Sequence, residues 1–186
     1  MGPIPTAPVE NYDLSRKIII NLKNMNNENK ECCPKFNPEK WDGKTYTWDN
    51  KPFIKETIPT FFHMPLPSMI GKKVTKMCKM MEDAKKAEVN SEDVLLLFHD
   101  PSAFKSEIFL SVTGSVENAN NVNLSGTFVA KVFSGPYNAI PKFVKQIDEY
   151  LAAQGKKAKD YYVHYAYCPK CAKKYGDNYM ILFAQI

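Results

Sequence analysis

Of the 25 basic side chains in this chain, only Arg16 is an arginine. Guanidinium forks that grip phosphates or guanines are therefore nearly missing. The formal charge of +5 rests on lysines, which more often solvate a surface than mark a nucleic-acid footprint. No apolar run approaches the roughly 18 residues that a membrane span needs, and residues 16–22 are too short for a secretory core with its flanks. The expectation is a soluble, cytoplasmic protein with no membrane and no nucleic-acid partner. A Gly-rich phosphate loop and a Gly-x-Ser-x-Gly elbow are also missing, which removes support for nucleotide cradling and for serine-hydrolase chemistry. Nor does a DNA-binding helical module precede residue 31, which argues against a self-contained transcription regulator.

What is present is one structural sentence written twice, roughly seventy residues apart. The first copy runs from a strand ending at Thr60-Phe61-Phe62-His63 through a Pro65/Pro67 break into a Met- and Lys-rich helix, then into strands at 94–99 and 107–112. In the second, a strand at 126–133 meets Gly135-Pro136, then a helix that stops before Gly155, then strands at 161–167 and 179–186. The fold class expected is α+β, with pseudo-duplicated β-α-β-β units, an antiparallel sheet, two helices and a ligand cleft between the halves. At 44% hydrophobic and 186 residues, the chain can bury one sizeable core. Residues 1–30 read as a flexible, partly vector-derived leader, although 17–22 could add an edge strand. Residues 31–186 read as one domain: an arm over 31–50 pinned by Trp41 and Trp48, a first repeat over about 51–116 and a second over about 122–186.

Both helices carry a core stripe. In the first, Ile70, Val74, Met77, Met81 and Ala84 recur at spacings of four and three, so the methionines and the adjoining Cys78 are core filler. The second repeats the pattern with Ile140, Phe143, Val144, Ile147, Tyr150 and Leu151, begins near Pro141 and is stopped by Gly155.

Besides Cys78, the cysteines come in two pairs, Cys32-Cys33-Pro34 and Cys168-Pro169-Lys170-Cys171. The second lies at a hairpin tip with no good helix after it, which suits a zinc knuckle better than a redox CxxC that opens a helix. A structural zinc on Cys32, Cys33, Cys168 and Cys171 is the first reading. Reduced thiols without metal, and a disulfide from arm to hairpin, remain the alternatives.

The stretch from Ser125 to Tyr137, SGTFVAKVFSGPY, followed by an amphipathic helix and paired strands, resembles the GyrI-like small-molecule-binding family. The closest likeness is to a subgroup labelled "hydrolase" that is similar around Cys32-Cys33-Pro34, residues 53–66 and residues 168–179. The resemblance implies a pseudo-symmetric SOUL-type fold with a ligand cleft. It also implies, for some members, hydrolysis of cyclopropane-bearing cytotoxic compounds. In that family a Glu in a Glu-Ile-Tyr/Phe pattern reaches the cleft, and Glu107-Ile108-Phe109 fits it. The second copy has Asn178-Tyr179-Met180 instead, which leaves one candidate acid.

The expected ligand site therefore combines Glu107 with Tyr137, Tyr161, Tyr165 and Tyr179, and with His63 and His99 at strand ends. Alternation sets Tyr161, Val163 and Tyr165 on one face and Tyr162 and His164 on the other. Glu107 would pair with a cation or, with a pKa raised by desolvation, protonate a substrate or activate water. The leading expectation is binding of a small apolar or cationic molecule. The alternatives are hydrolysis of a strained electrophile and a zinc-stabilised adaptor whose lysine-rich helix docks an acidic partner.

Overall fold

The computed structural model describes residues 33–61, 64–65 and 67–186. Expectations about residues 1–30, Cys32 and His63 lie outside the described residues. Residues 45–48 alternate Thr with an aromatic, and the Thr-, Ile- and aromatic-bearing run that continues to Phe61 forms with them one long strand, β1 (Thr45–Phe61). The remaining elements are β2 (Met64–Pro65), α1 (Pro67–Asp83), β3 (Leu96–Ser102), β4 (Lys105–Ser111), β5 (Asn121–Ser134), α2 (Ile140–Ala152), β6 (Asp160–Tyr165), α3 (Pro169–Tyr175) and β7 (Tyr179–Gln185).

β1 belongs to both halves of the molecule. Its first part pairs with β5 and its last part with β4, so the antiparallel order β1-β4-β3-β6-β7-β5 returns to β1 and closes a six-stranded barrel, with β2 attached outside the ring. Closure removes the unpaired edges that an open sheet of this size would expose. A register shift between Trp48 and Lys51 bends β1 where it passes from one partner toward the other. Gly126 faces that bend at φ +141°, a conformation that side chains rarely adopt, and a Cβ there would lie 2.7 Å from Gln185 Nε2.

The inner face is packed with rings. Trp48, Phe53, Leu97, Phe109, Phe128, Tyr162, Ile181 and Phe183 form one buried cluster, with Trp48 and Phe128 centred 4.2 Å apart and Phe128 and Tyr162 5.9 Å apart. These side chains line the space between the halves, where the sequence places a ligand cleft. Outside the ring, Met77 and Met81 of α1 cover Ile54, Ile58, Ile108 and Leu110. Phe143, Ile147 and Leu151 of α2 cover Val129, Val163, Met180 and Leu182. Both methionines are buried core, as their helical spacing implies.

β1 begins inside the segment expected as an arm over 31–50, since Thr45 already pairs with Val129 in the sheet; Trp41 and Trp48 are both buried. One local expectation is corrected. A helix does follow the CxxC: Cys168 caps α3, Pro169 takes its first turn, and Gly176 ends it at φ +78°. Seven residues are too few for a periodic signal to be read from sequence, while the proline and glycine that bound the helix suit its ends.

Candidate functional site

Strand alternation determines what meets at one end of the barrel. In β4, Ile108 and Leu110 face α1, so Glu107 and Phe109 face inward. In β3, Leu97 and His99 share the inner face, and His99 stands directly opposite Glu107 in register. In β6, Tyr162 is inward, which puts Asp160, two residues earlier, on the same face. Lys55 follows Phe53 by two on β1 and is inward by the same rule.

These residues touch. His99 Nε2 lies 2.9 Å from Asp160 Oδ2, and Nδ1 lies 3.4 Å from Glu107 Oε2. The ammonium groups of Lys105 and Lys55 sit 2.7 Å and 3.2 Å from Glu107 Oε1. The imidazole stacks on the Tyr162 ring with centroids 4.8 Å apart, and Lys55 Nζ lies 5.6 Å from the centre of the Phe109 ring. Glu107 is buried and His99 partly so, with side chains 10% and 14% exposed, whereas Asp160 at 38% and Lys105 at 47% open the cluster to solvent.

The electrostatics correct one expectation. Burial by itself pushes the Glu107 carboxyl up, but hydrogen bonds from Lys105, Lys55 and His99, with the charge of Lys55, outweigh it and hold the group at about 2. Glu107 is therefore ionised near neutral pH and cannot serve as a proton donor there. Two ammonium groups already neutralise it, which also weakens its pull on a cation. The Tyr162 hydroxyl is pushed up to about 12 by burial and by the charges of Asp160 and Glu107.

The other expected residues are dispersed. Tyr161 and Tyr165 pack on the outer face with α2, and the Tyr161 hydroxyl donates to Asp148. Tyr165 rests edge-on against Phe98 and Tyr137. Tyr179 meets Phe36 at 5.3 Å and borders a shallow surface depression with Pro38, Asp42 and Phe133. The phenols thus do not gather around Glu107; the tyrosine that does is Tyr162. Asp160, Lys55 and Lys105 are also new to the site. Their signal in the sequence is charge placed two residues from an aromatic in a strand, Asp160 before Tyr162 and Lys55 after Phe53.

His164 is half-buried in the sheet, its Nδ1 3.2 Å from the Leu96 amide nitrogen, and desolvation of the ring lowers its pKa to about 4. At the other end of β6, the sulfurs of Cys33, Cys168 and Cys171 lie within 4.8 Å of one another, close enough to share a metal ion. Among the described residues, no helix is long and apolar enough to cross a membrane.

A family model described as "Bacterial hydrolase" matches residues 23–186, which include every residue of the charged cluster. No curated protein matches the chain.

Proposed function

For a chain that belongs to this bacterial hydrolase family, we propose a hydrolytic reaction at the charged end of the barrel, with His99 as general base. The observation that carries this reading is the unequal grip of two carboxylates on one imidazole, 2.9 Å at Nε2 and 3.4 Å at Nδ1. In the tautomer that donates Nε2–H to Asp160, the His99 Nδ1 lone pair is left beside the Glu107 carboxylate to take a proton from water, and the Nδ1–H contact to Glu107 forms once that proton has arrived. As the water oxygen bonds to an electrophilic carbon, its proton passes to Nδ1. The imidazolium so formed is stabilised by Asp160 and Glu107. Lys55 and Lys105 supply positive charge for the oxygen on which negative charge develops. The bond to the leaving group then breaks, and the Nδ1 proton follows that group.

The substrate class follows from the charge count. Two carboxylates stand against two ammonium groups, so their charges balance and give the cluster no net preference for a cation. An uncharged electrophile, an activated ester or a strained ring of the cyclopropane type, fits it better. Because the barrel interior is packed, the substrate would lie over the mouth, beside the face of His99 that is not stacked on Tyr162.

A second reading, GyrI-like binding without turnover, draws support from the element order, β1-α1-β3-β4 followed by β5-α2-β6-β7 once β2 and α3 are set aside. The adaptor reading has less support, since Lys73 and Lys76 of the lysine-rich helix are engaged by Glu56 at 2.6 and 2.8 Å.

The deciding experiment incubates the purified chain with activated aryl esters and an activated cyclopropane and follows products by mass spectrometry. Hydrolysis that falls about 100-fold or more in His99→Gln supports the proposal. Thermal stabilisation by these compounds with no product favours binding. Turnover unchanged in His99→Gln overturns the assignment of the base.

A further inference from the structure

We propose that Cys33, Cys168 and Cys171 hold a structural zinc ion that staples the segment before β1 to α3. The three sulfurs come from segments 135 residues apart in sequence and lie within 4.8 Å of one another, and Cys171 is buried. Zn–S bonds of about 2.3 Å place tetrahedral sulfurs about 3.8 Å apart, so a shift of roughly half an ångström at each sulfur completes the geometry. Cys168 and Cys171 are three residues apart on a single turn, which turns both thiols the same way.

The surroundings already hold these thiols in place. The Cys168 amide donates to Cys33 Sγ at 3.4 Å, an N–H···S contact of the kind that orients metal-bound sulfur. The Tyr175 hydroxyl donates to the Cys33 carbonyl at 3.3 Å, and the Phe36 amide donates to the Tyr167 hydroxyl at 2.9 Å. Tyr167 and Tyr175 stack at 4.7 Å.

A redox CxxC or a disulfide needs two thiols, and neither explains why a third from a distant segment converges on them. A metal does. An all-sulfur donor set favours a borderline-soft ion, and zinc satisfies it without redox chemistry. A closed structural site takes four ligands; Cys32, the sequence neighbour of Cys33, is outside the described residues. The cluster sits beyond the last residue of β6, whereas Asp160 is its first, so the ion would fix the fold and not enter the reaction.

The test is elemental analysis of the full chain purified without added metal, with about one zinc per chain expected. Cys168→Ser/Cys171→Ser should retain about one-tenth of that or less, while Cys78→Ser, in α1, keeps it all. Should the double variant fail to fold, cobalt exchanged into the unmodified chain gives an independent readout: thiolate-to-cobalt charge transfer together with the d–d bands of a tetrahedral site. A folded chain with neither zinc nor that spectrum overturns the proposal. So does iron in place of zinc, or an intact mass two hydrogens light that maps to a Cys168 to Cys171 disulfide.

Discussion

His99 and Asp160 meet at 2.9 Å although 61 residues and two different strands separate them. Each comes from the inner face of its strand, and each is close to the same end of the barrel. The pair gives one imidazole nitrogen a fixed partner. Asp160→Asn keeps the shape and removes the charge that would stabilise an imidazolium. It should lower kcat about 100-fold with little change in KM, and steady-state kinetics on whichever activated ester is turned over checks this.

Glu107 holds three basic groups together, so its loss should be felt in stability as well as in activity. Glu107→Gln leaves Lys55, 25% exposed, without its carboxylate and should cost about 2 kcal/mol in denaturant titration. Glu107→Gln combined with Lys55→Met should cost less than the two single changes together, because they share one contact. The pH dependence has a definite sign. The folded carboxyl titrates at about 2 against an ordinary value of 4.5, so its stabilisation is complete above 4.5 and is lost as pH falls toward 2. In Glu107→Gln the melting temperature should fall less steeply through that window.

His164 produces a second acid sensitivity at higher pH. Burial lowers its pKa to about 4 from 6.5, so the unfolded chain takes up a proton between those values and the folded chain does not. Stability should be undiminished above 6.5 and fall as pH drops toward 4, by about 3 kcal/mol in all. His164→Gln should flatten melting temperature against pH in that range while leaving the Glu107 window intact.

The barrel interior should be intolerant of truncation. Trp48 packs on Phe128 at 4.2 Å and on Phe183 at 5.6 Å, and Trp48→Ala should cost about 3–5 kcal/mol by the cavity it leaves. Met77→Leu on the outer core, which conserves volume, should cost under about 1.5 kcal/mol. Chemical denaturation of both variants checks the contrast.

Much of the architecture was legible because local periodicity reports local structure. The stripe of Met77 and Met81, Pro141 at the start of α2 and Gly155 beyond its end all stand as their spacing implies. Alternation in β6 separated Tyr161 and Tyr165 from Tyr162, but nothing in the strand itself says which face is inward. The site was less legible for the same reason. Glu107 and His99 could be named as candidates, whereas the lowered pKa of Glu107 depends on Lys55 and Lys105, which its own strand does not reveal to be near. α3 was missed because its two turns are too short to carry a period.

The order of residues by itself determined the two longer helices and most of the strands, since their periodicity depends on neighbours a few positions away. Only the closed sheet decided that Lys55, His99, Glu107 and Asp160 share one end of a barrel and that Cys33 reaches Cys168 and Cys171 at the other end of β6. Strand register couples residues tens of positions apart. The energy that selects one register comes from filling the interior with Trp48, Phe128, Tyr162 and Phe183 together, which no single segment can specify.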